Sequence, residues 1–570
     1  MLPLSMVAAG FVAARRRNHQ PSKRLGEGLG RKRESSPGAM TNSLLERADA
    51  GATEAPQRPL ARPLGLAEAL LSWAALIGFG GYFLLLIHHY LDMFLLIEYR
   101  QWIFHAPQAP LLRADFFSTL FELNANPSHF QIVNSRSLSY WMAQLFGRVC
   151  GPDPFCHNIF QAALVAGSVA FLALSVRALS ISRSWLPALV TGIVTALSMP
   201  MIEAITWQAT VLDKMAMLLT SGTILGASVI PVANARRRDI VAYNLLLFLL
   251  TFAACNSKEA ALFLAPATVL LVFSRVLIAG STRTMAARRT IELTALPLVY
   301  SCVHVALVFY NRTFLATGEF NRVTGGDIAF NVEFYARYIL DMMPTLYSRT
   351  DIAAAAACIG VLMMVAIVLD AANGSRRHVP ISLFALVGLA GSLAIPLRTT
   401  STSAFYLLVP IAYFGLAIGL SVDAILARLH GPALRLAFGM ICIGFLIARL
   451  LSFQSALPDF DRLEQLSRNF VQTLQDVQAA SLNNPPERIV FVRPRNEPRA
   501  YMYVSAPADA GDYALAPYLA PPGTPFTDLL KFEGRIVDVD ADGADRVKRH
   551  GDLIVTLGPG LTLAGLSRFQ

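Results

Sequence analysis

A lysine and a glutamate stand side by side where an apolar stretch begins, in the sequence Asn256-Ser257-Lys258-Glu259 followed by residues 260–266. Charge at membrane depth is costly, so an ionisable pair at such a position indicates a functional site. The alternative is an interfacial pair whose long side chains reach the lipid headgroups. The pair alone favours neither interpretation, and the residues that other segments place beside it decide the matter.

Ionisable residues of both signs recur at the same ends of the apolar stretches. They are Asp92 after the first stretch, Arg136 in the loop that follows, Glu203 and Asp213 with Lys214 between the third and fourth, Lys258 and Glu259 between the fifth and sixth, and Arg398 after the ninth, shortly before Tyr406. A carboxylate can take a proton from a hydroxyl as a general base. Lysine and arginine can hold a departing phosphate and stabilise its negative charge. Each charge alone is ordinary for a loop, and only the joint pattern predicts a phosphate-handling site.

The composition places these residues in a membrane protein. The chain has 570 residues, of which 54% are hydrophobic and 15% charged, and its mean hydropathy is +0.49. About 20 apolar residues cross a bilayer. Stretches of this kind lie near residues 70–91, 158–176, 186–202, 212–232, 240–255, 259–279, 291–311, 352–370, 380–396, 404–426 and 434–452. We therefore predict an all-α polytopic membrane protein with about eleven transmembrane helices.

Basic residues cluster in every second connection between the predicted spans. The clusters are Arg15–Arg17, Arg177 with Arg183, Arg236–Arg238, Arg283 with Arg288 and Arg289, Arg376 with Arg377, and Arg428 with Arg435. The positive-inside rule makes that side cytoplasmic, so the net charge of +10 reports topology and no nucleic-acid partner. We expect a multi-pass protein of a bacterial inner (plasma) membrane, with a cytoplasmic N-terminus and an extracytoplasmic C-terminus.

Three regions are predicted along the chain. Residues 1–65 form a basic, disordered cytoplasmic N-terminus, and residues 66–452 form the transmembrane domain, whose large outside loop spans 92–157. Residues 453–570 form a small α/β or α+β domain outside the membrane, with a helical pattern followed by three β-like runs. Those runs are Arg488–Val492, Arg535–Val539 and Asp552–Leu557. Amphipathic patterns near residues 111–122 and 138–149 predict helices in the membrane interface.

Two cysteines share the large outside loop. Cys150 and Cys156 flank a turn-forming Gly-Pro pair, and this spacing in an oxidising compartment favours a disulfide. A metal site is the weaker interpretation, because no second ligand pair accompanies them. The loop histidines, which are His105, His129 and His157, are interpreted as structural. The sequence thus indicates no metal site and no required cofactor, and it leaves a divalent cation open.

Five motifs in order resemble the GT-C superfamily of polytopic glycosyltransferases, closest to the protein O-mannosyltransferase and dolichyl-phosphate-mannose-dependent types. They are YLDMFLLIEYRQW with Asp92, Arg136-Ser137-Leu138-Ser139, EAITWQATVLDKMAMLL with Glu203, Trp207 and Asp213, Ser257-Lys258-Glu259, and Arg398 with Tyr406-Leu407. The resemblance covers roughly residues 70–450. It departs from the family pattern at Met93, where a second acid is frequent, and at Ser137, where proline is frequent.

The resemblance implies an inverting glycosyltransferase that takes a sugar from a polyprenyl-phosphate donor on the extracytoplasmic face, where nucleotide sugars are absent. The acceptor is a lipid, a glycan or a protein. In this interpretation Asp92 is the general base, with Glu98 as the fallback. Lys258 and Arg398 contact the donor phosphate, and Arg136 assists. The substrate pocket is assigned to Glu203, Asp213, Glu259 and Tyr406, with the alternative that Glu203 and Asp213 brace Lys214 and Lys258.

Other classes of protein fit parts of the pattern. The main alternative is a transporter or flippase of lipid-linked glycans without catalytic activity, but such proteins favour charges within spans and internal repeats with broken helices. A catalytically inactive relative whose C-terminal domain binds a partner is a third interpretation. An O-antigen ligase or polymerase is a fourth, and the early position of the large loop argues against it.

Overall fold

The computed structural model describes residues 66–93, 137–151, 153–232, 236–310, 325–342, 347–373, 381–398, 404–455, 457–482, 485–494, 515–519 and 535–569. The first nine helices are α1 (Leu66–His89), α2 (Ser137–Cys150), α3 (Pro154–Leu179), α4 (Leu186–Ala196), α5 (Met199–Thr206), α6 (Val211–Val229), α7 (Arg237–Cys255), α8 (Leu264–Ile278) and α9 (Arg283–Tyr310). They are followed by α10 (Gly325–Leu340), α11 (Arg349–Asn373), α12 (Ser382–Ala394), α13 (Leu408–Leu426), α14 (Pro432–Gln454) and α15 (Leu457–Leu482).

Each predicted span coincides with one of these helices or with the pair α4–α5. Within the described ranges, six helices are long and apolar enough to cross a membrane alone, and the α4–α5 pair, bent by 54°, makes a seventh. Residues 73–89 of α1 and helix α12 are shorter apolar helices, and α6 and α9 complete the set. The chain is therefore an integral membrane protein built mainly of α-helices, as predicted.

Proline and glycine set two local features that shape the helical region. Pro200 near the start of α5 lacks an amide hydrogen and cannot continue the ladder of α4, which accounts for the bend. Gly415 and Gly419 lie one turn apart on α13, where an added Cβ would overlap Thr195 and Thr191 of α4. Helix α13 therefore packs directly against the backbone of α4, and it is the most deeply buried of the candidate spans.

The C-terminal region contains a four-stranded sheet. Strands β1 (Ile489–Arg493), β2 (Ile536–Asp540), β3 (Leu553–Leu557) and β4 (Leu563–Arg568) are arranged in the order β2-β1-β3-β4, and the described part of the region also contains two short helices, α16 (Ala516–Leu519) and α17 (Ala544–Val547). Strand β1 pairs in parallel with β2 and β3, whereas β4 is antiparallel to β3. The three predicted strands are confirmed within one residue, and β4 is an addition to the prediction.

Helix α15 joins this sheet to the ends of the transmembrane helices. One apolar cluster contains Phe470 and Leu474 of α15, Phe491 of β1, Phe453 of α14 and Tyr90 just after α1. The membrane face at which α1 ends is called the Asp92 face below. The C-terminal sheet and the ends of α1, α5 and α14 consequently pack together at the Asp92 face.

Candidate active site

Lys258 lies at a break between two spans. Helix α7 ends at Cys255, Lys258 adopts an extended backbone with φ −160° and ψ 145°, and a 3-10 turn over Glu259–Phe263 leads into α8. The Lys258 side chain is 8% exposed, and its Nζ lies 3.2 Å from Oδ2 of Asp213. The lysine therefore points into the protein instead of reaching for the headgroups. The interfacial interpretation of this residue is wrong.

Aromatic rings surround the same lysine. Its Nζ lies 5.1 Å from the ring centre of Tyr406 and 5.9 Å from that of Phe405, both in the 3-10 turn before α13. Phe405 in turn lies 5.8 Å from Trp207. A cation over aromatic faces in a site shielded from water is held by the negative faces of the rings. Tyr406, a predicted pocket residue, thus lies beside Lys258.

Asp213 and Lys214, which are consecutive at the start of α6, contact different partners. Asp213 pairs with Lys258, whereas Nζ of Lys214 donates to Oε1 of Gln161 and, at 3.4 Å, to the carbonyl of Trp207. The Lys214 side chain is 1% exposed. Its hydrogen-bond acceptors in the described structure are an amide and a carbonyl. A second lysine amino group is therefore buried next to the Lys258–Asp213 pair.

Asp92 stands on an exposed turn immediately after α1. Its neighbours Tyr90 and Met93 are 2% and 1% exposed, so the turn presents the Asp92 carboxylate outward between two anchored side chains. The Nδ2 atom of Asn158 on α3 donates to the carbonyls of Leu91 and Met93, at 2.8 Å each. The backbone on both sides of Asp92 is thereby fixed to α3.

A chain of polar contacts connects the Asp92 turn to the buried lysine Lys214. Oδ1 of Asn158 accepts a hydrogen bond of 3.1 Å from Gln208, which follows Trp207. Gln161, one helical turn after Asn158 on α3, accepts from Lys214. A small cavity of about 10 Å³, room for about one water molecule, is lined by Tyr90, Leu91, Asn158, Gln161 and Lys214 together with four apolar side chains. The Asp92 turn and the buried lysines thus belong to one polar cluster.

The remaining predicted site residues are two whose side chains the structure describes, Glu203 and Glu259, and three whose side chains it does not. Glu203 on α5 is half-buried, and Glu259 is 3% exposed and interacts electrostatically with His304 of α9. Arg398 lies in a 3-10 turn at the end of α12, with its side chain outside the described residues. Glu98 and Arg136, with His105 and His129, also lie outside the described residues. The described contacts therefore bring Asp213, Lys258 and Tyr406 together, with Lys214 beside Asp213.

The loop that precedes α3 is covalently closed. Cys150 and Cys156 form a disulfide across the Gly-Pro turn, and Nε2 of the buried His157 lies 2.9 Å from the carbonyl of Gly151. Among the described residues, no three His, Cys, Asp or Glu side chains come together in a metal-binding arrangement. The disulfide fixes the junction between α2 and α3 close to the helix turn that carries Asn158.

Sequence reasoning did not single out the amides of this cluster. Asn158, Gln161 and Gln208 are polar side chains within or beside apolar segments, and the first two share one face of α3 at a spacing of three residues. That spacing was the available signal, because a polar stripe on an apolar helix must face a polar interior.

The arrangement has defined chemical capacities. The exposed Asp92 carboxylate can accept a proton, and the Lys258 ammonium group can stabilise negative charge that develops nearby, with Lys214 as a further hydrogen-bond donor. Low local polarity strengthens such electrostatic interactions relative to water. The cluster can therefore combine proton removal at its surface with anion stabilisation beneath it.

Comparisons with known proteins give a limited picture. No family model and no curated protein matches the chain. Two similar solved structures are of ArnT from Cupriavidus metallidurans, one in the apo state with a TM-score of 0.45 and one bound to undecaprenyl phosphate with a TM-score of 0.43. Each is 14% identical in sequence, and the alignments cover 86% and 85% of this chain and 93% of each ArnT chain. A likeness at this level assigns no activity, substrate or site residue.

Proposed function

We propose that this protein is a membrane glycosyltransferase that moves a sugar from a polyprenyl-phosphate donor to a hydroxyl acceptor at the Asp92 face. The acceptor is a lipid, a glycan or a protein. The observation that carries the proposal is the polar cluster itself, in which Asn158 holds the backbone on both sides of the exposed Asp92 and Gln161 of the same helix binds Lys214, next to the Lys258–Asp213 pair, at the level where transmembrane helices end. A lipid-linked phosphate would arrive at that depth.

The proposed reaction is a single displacement at the sugar's anomeric carbon. The acceptor oxygen forms a bond to C1, the C1–O bond to the phosphate breaks, and the polyprenyl phosphate leaves with the electron pair. Asp92 takes the proton of the acceptor hydroxyl. Lys258, with Arg398 and Arg136, is assigned to the phosphate, and Asp213 keeps Lys258 oriented through their ion pair. Attack from the face opposite the phosphate inverts the configuration at C1.

The sugar is assigned to the space around the Lys258–Asp213 pair. Glu203, Glu259 and Tyr406 are the polar groups that we assign to its hydroxyls, since the polyprenyl chain needs an apolar path into the bilayer. The basic loops on the other side of the spans support an extracytoplasmic location for the Asp92 face. A bacterial inner membrane supplies polyprenyl-phosphate sugars on that side.

Turnover of radiolabelled donors by membranes tests the proposal. The donors are undecaprenyl-phosphate-linked pentoses and hexoses, and the membranes contain wild-type protein, Asp92→Asn or the control Asp476→Asn, which alters an exposed acid on α15. We expect wild type and the control to release sugar from at least one donor and Asp92→Asn to lose at least 100-fold in rate. Full activity of Asp92→Asn at equal expression would contradict the role of Asp92. Release by no donor would contradict the transferase and favour a transporter.

A further inference from the structure

The turn over Tyr90–Met93 is bound by two other elements. From α3, Asn158 donates from one nitrogen to the carbonyls of Leu91 and Met93, both at 2.8 Å. From the C-terminal region, Oδ1 of Asp461 on α15 accepts a 2.8 Å hydrogen bond from the Tyr90 hydroxyl. The residue between these attachments is Asp92, whose own side chain is exposed.

From this geometry we propose that Asn158 and Asp461 are positioning residues that clamp the turn and fix the Asp92 carboxylate relative to the bound donor. The inference rests on the proposed function, because it takes Asp92 as the general base. It also gives the C-terminal region a function in the site. The clamp has two parts, called jaws below: Asn158 on α3 and Asp461 on α15.

The Asn158 jaw is itself braced. Its Oδ1 accepts from Nε2 of Gln208 at 3.1 Å, and both side chains are buried, at 6% and 1% exposure. With two donated bonds and one accepted bond, the side-chain amide of Asn158 has a fixed orientation. Aspartate at this position would present acceptors to two carbonyls, so the turn would lose its attachment.

Helix α15 makes further polar contacts beside Asp461. Nε2 of His89 lies 3.4 Å from Asp461 and 3.3 Å from Glu464, and Glu464 also pairs with Arg468 one turn further along α15. Tyr90 is 2% exposed and belongs to the apolar cluster that α15 shares with the sheet. The phenol ring therefore packs between α1 and α15 while its hydroxyl binds Asp461.

Displacement of the Asp92 carboxylate should slow proton removal from the acceptor more than any other step of the reaction. Misplacement of a catalytic group by about 1 Å costs about 100-fold in rate. Donor binding does not involve proton removal, so it should change little. An acceptor that carries no proton should also be insensitive to the position of the base. Azide is such an acceptor, because its attack on C1 expels polyprenyl phosphate without any proton transfer.

The experiment compares water and azide as acceptors with the donor that wild type uses best. The variants are Asn158→Asp, Tyr90→Phe, Asp92→Asn and the control Asn244→Asp, which alters an asparagine that also binds a backbone carbonyl, that of Glu292. We expect transfer to water to fall about 100-fold in Asn158→Asp and about tenfold in Tyr90→Phe. Donor affinity and transfer to azide should stay within about threefold of wild type in both, as in Asp92→Asn. The control should match wild type with both acceptors.

The outcomes distinguish a failure of the proposed clamp from a failure of the proposed function. Transfer to water that is unchanged in Asn158→Asp or Tyr90→Phe would overturn the clamp. Equal losses with water and azide would also overturn it, since they indicate a general structural role. If Asn158→Asp does not fold, the result for Tyr90→Phe decides the test. This substitution removes only the hydroxyl oxygen that binds Asp461 and keeps the packed ring. Wild-type protein that transfers to neither acceptor contradicts the proposed function itself.

Discussion

At the scale of single residues, the site depends on how buried charge is arranged. Asp213 and Lys214 are consecutive, yet one neutralises Lys258 and the other binds amide and carbonyl oxygens. Breaking a buried ion pair from one side leaves an uncompensated charge and costs about 3–5 kcal/mol. Activity and folding must therefore be separated before a role is assigned to Lys258.

A double substitution makes that separation. We predict that Lys258→Gln lowers both stability and donor-dependent kcat/KM, the latter by about 100-fold, because it removes positive charge from the phosphate site. The pair Lys258→Gln with Asp213→Asn should recover much of the stability, since neither member of the ion pair is left without the other, but not the activity. Thermal unfolding in detergent and donor titrations measure both quantities. Recovery of activity in the double variant would show that the charge of Lys258 is not required.

At this scale the sequence analysis selected charged residues and did not select amides. Lys258 and Asp213 could be selected because ionised groups are rare beside apolar spans. Asn158 and Gln161 carry a weaker signal, their spacing on one face of α3, because a neutral amide on an apolar helix costs little enough to occur without a function. Their importance depends on the carbonyls of Leu91 and Met93, which only the folded chain brings to them.

At the scale of elements, the bundle is held by close contact between α13 and α4. Gly415 and Gly419 face Thr195 and Thr191, so the two helix backbones approach at a distance that no larger side chain permits. The turn over Ala404–Leu407 leads directly into α13. Rigid packing of α13 therefore holds Phe405 and Tyr406 against Lys258.

Alanine substitutions test this packing. Gly419→Ala should destabilise the protein by about 1–3 kcal/mol, because the new methyl group overlaps Thr191 and the carbonyl of Pro187. Gly444→Ala on α14 is the matched control, since no atom lies within 4 Å of its added Cβ. The control should be neutral or slightly more stable, as alanine favours helix. Equal melting temperatures for the two variants in detergent would contradict the close α13–α4 contact.

The C-terminal sheet contains an ion pair whose effect depends on pH. The Arg488 guanidinium donates to both carboxylate oxygens of Asp552, at 3.1 and 2.6 Å, and joins the starts of β1 and β3. Burial acts to raise the pKa of Asp552, but hydrogen bonds from Arg488 and the Arg549 amide outweigh it, and the pKa is lowered. A lowered folded-state pKa adds stability above the unfolded value, near 4, and that stability disappears as the pH falls through the folded value.

Hydrogen exchange of the sheet tests this pair. We expect amide protection in β1 and β3 to decrease below about pH 4 in wild type. Asp552→Asn should lower that protection already at pH 7, by about 3 kcal/mol, and remove most of its acid sensitivity. Asp545→Asn, at an exposed acid, is the control and should behave as wild type. Unchanged protection in Asp552→Asn at pH 7 would contradict a stabilising role for the pair.

The elements themselves were largely predictable. Apolar runs of about 20 residues located the transmembrane helices, and runs rich in Val and Ile located β1, β2 and β3. Strand β4 was missed because Leu563–Arg568 contains Gly565 and alternates poorly, so its strand conformation is imposed by pairing with β3. The bend between α4 and α5 was not predicted, because hydropathy alone does not distinguish two short helices from one span. Pro200 was the available signal for the bend.

At the scale of the whole molecule, the account requires the Asp92 face to be extracytoplasmic. We predict that the engineered cysteine of Asp476→Cys on α15 reacts with a membrane-impermeant maleimide in intact cells. The cysteine of His430→Cys, in the exposed connection between α13 and α14, should react only after the membrane is opened. Both are compared in a background that lacks the exposed Cys302 and Cys358. The reverse labelling pattern would place the site in the cytoplasm and contradict the choice of a lipid-linked donor.

The central claim is that the polar cluster at the Asp92 face performs chemistry on a lipid-linked sugar. Purified protein in detergent micelles tests it most directly, because micelles have no two sides and a flippase has nothing to transport there. The account predicts that wild-type protein releases labelled sugar from an undecaprenyl-phosphate donor, with stoichiometric undecaprenyl phosphate, and that Asp92→Asn does not. Donors that stay intact in micelles but cross the bilayer of vesicles containing the same protein would contradict it.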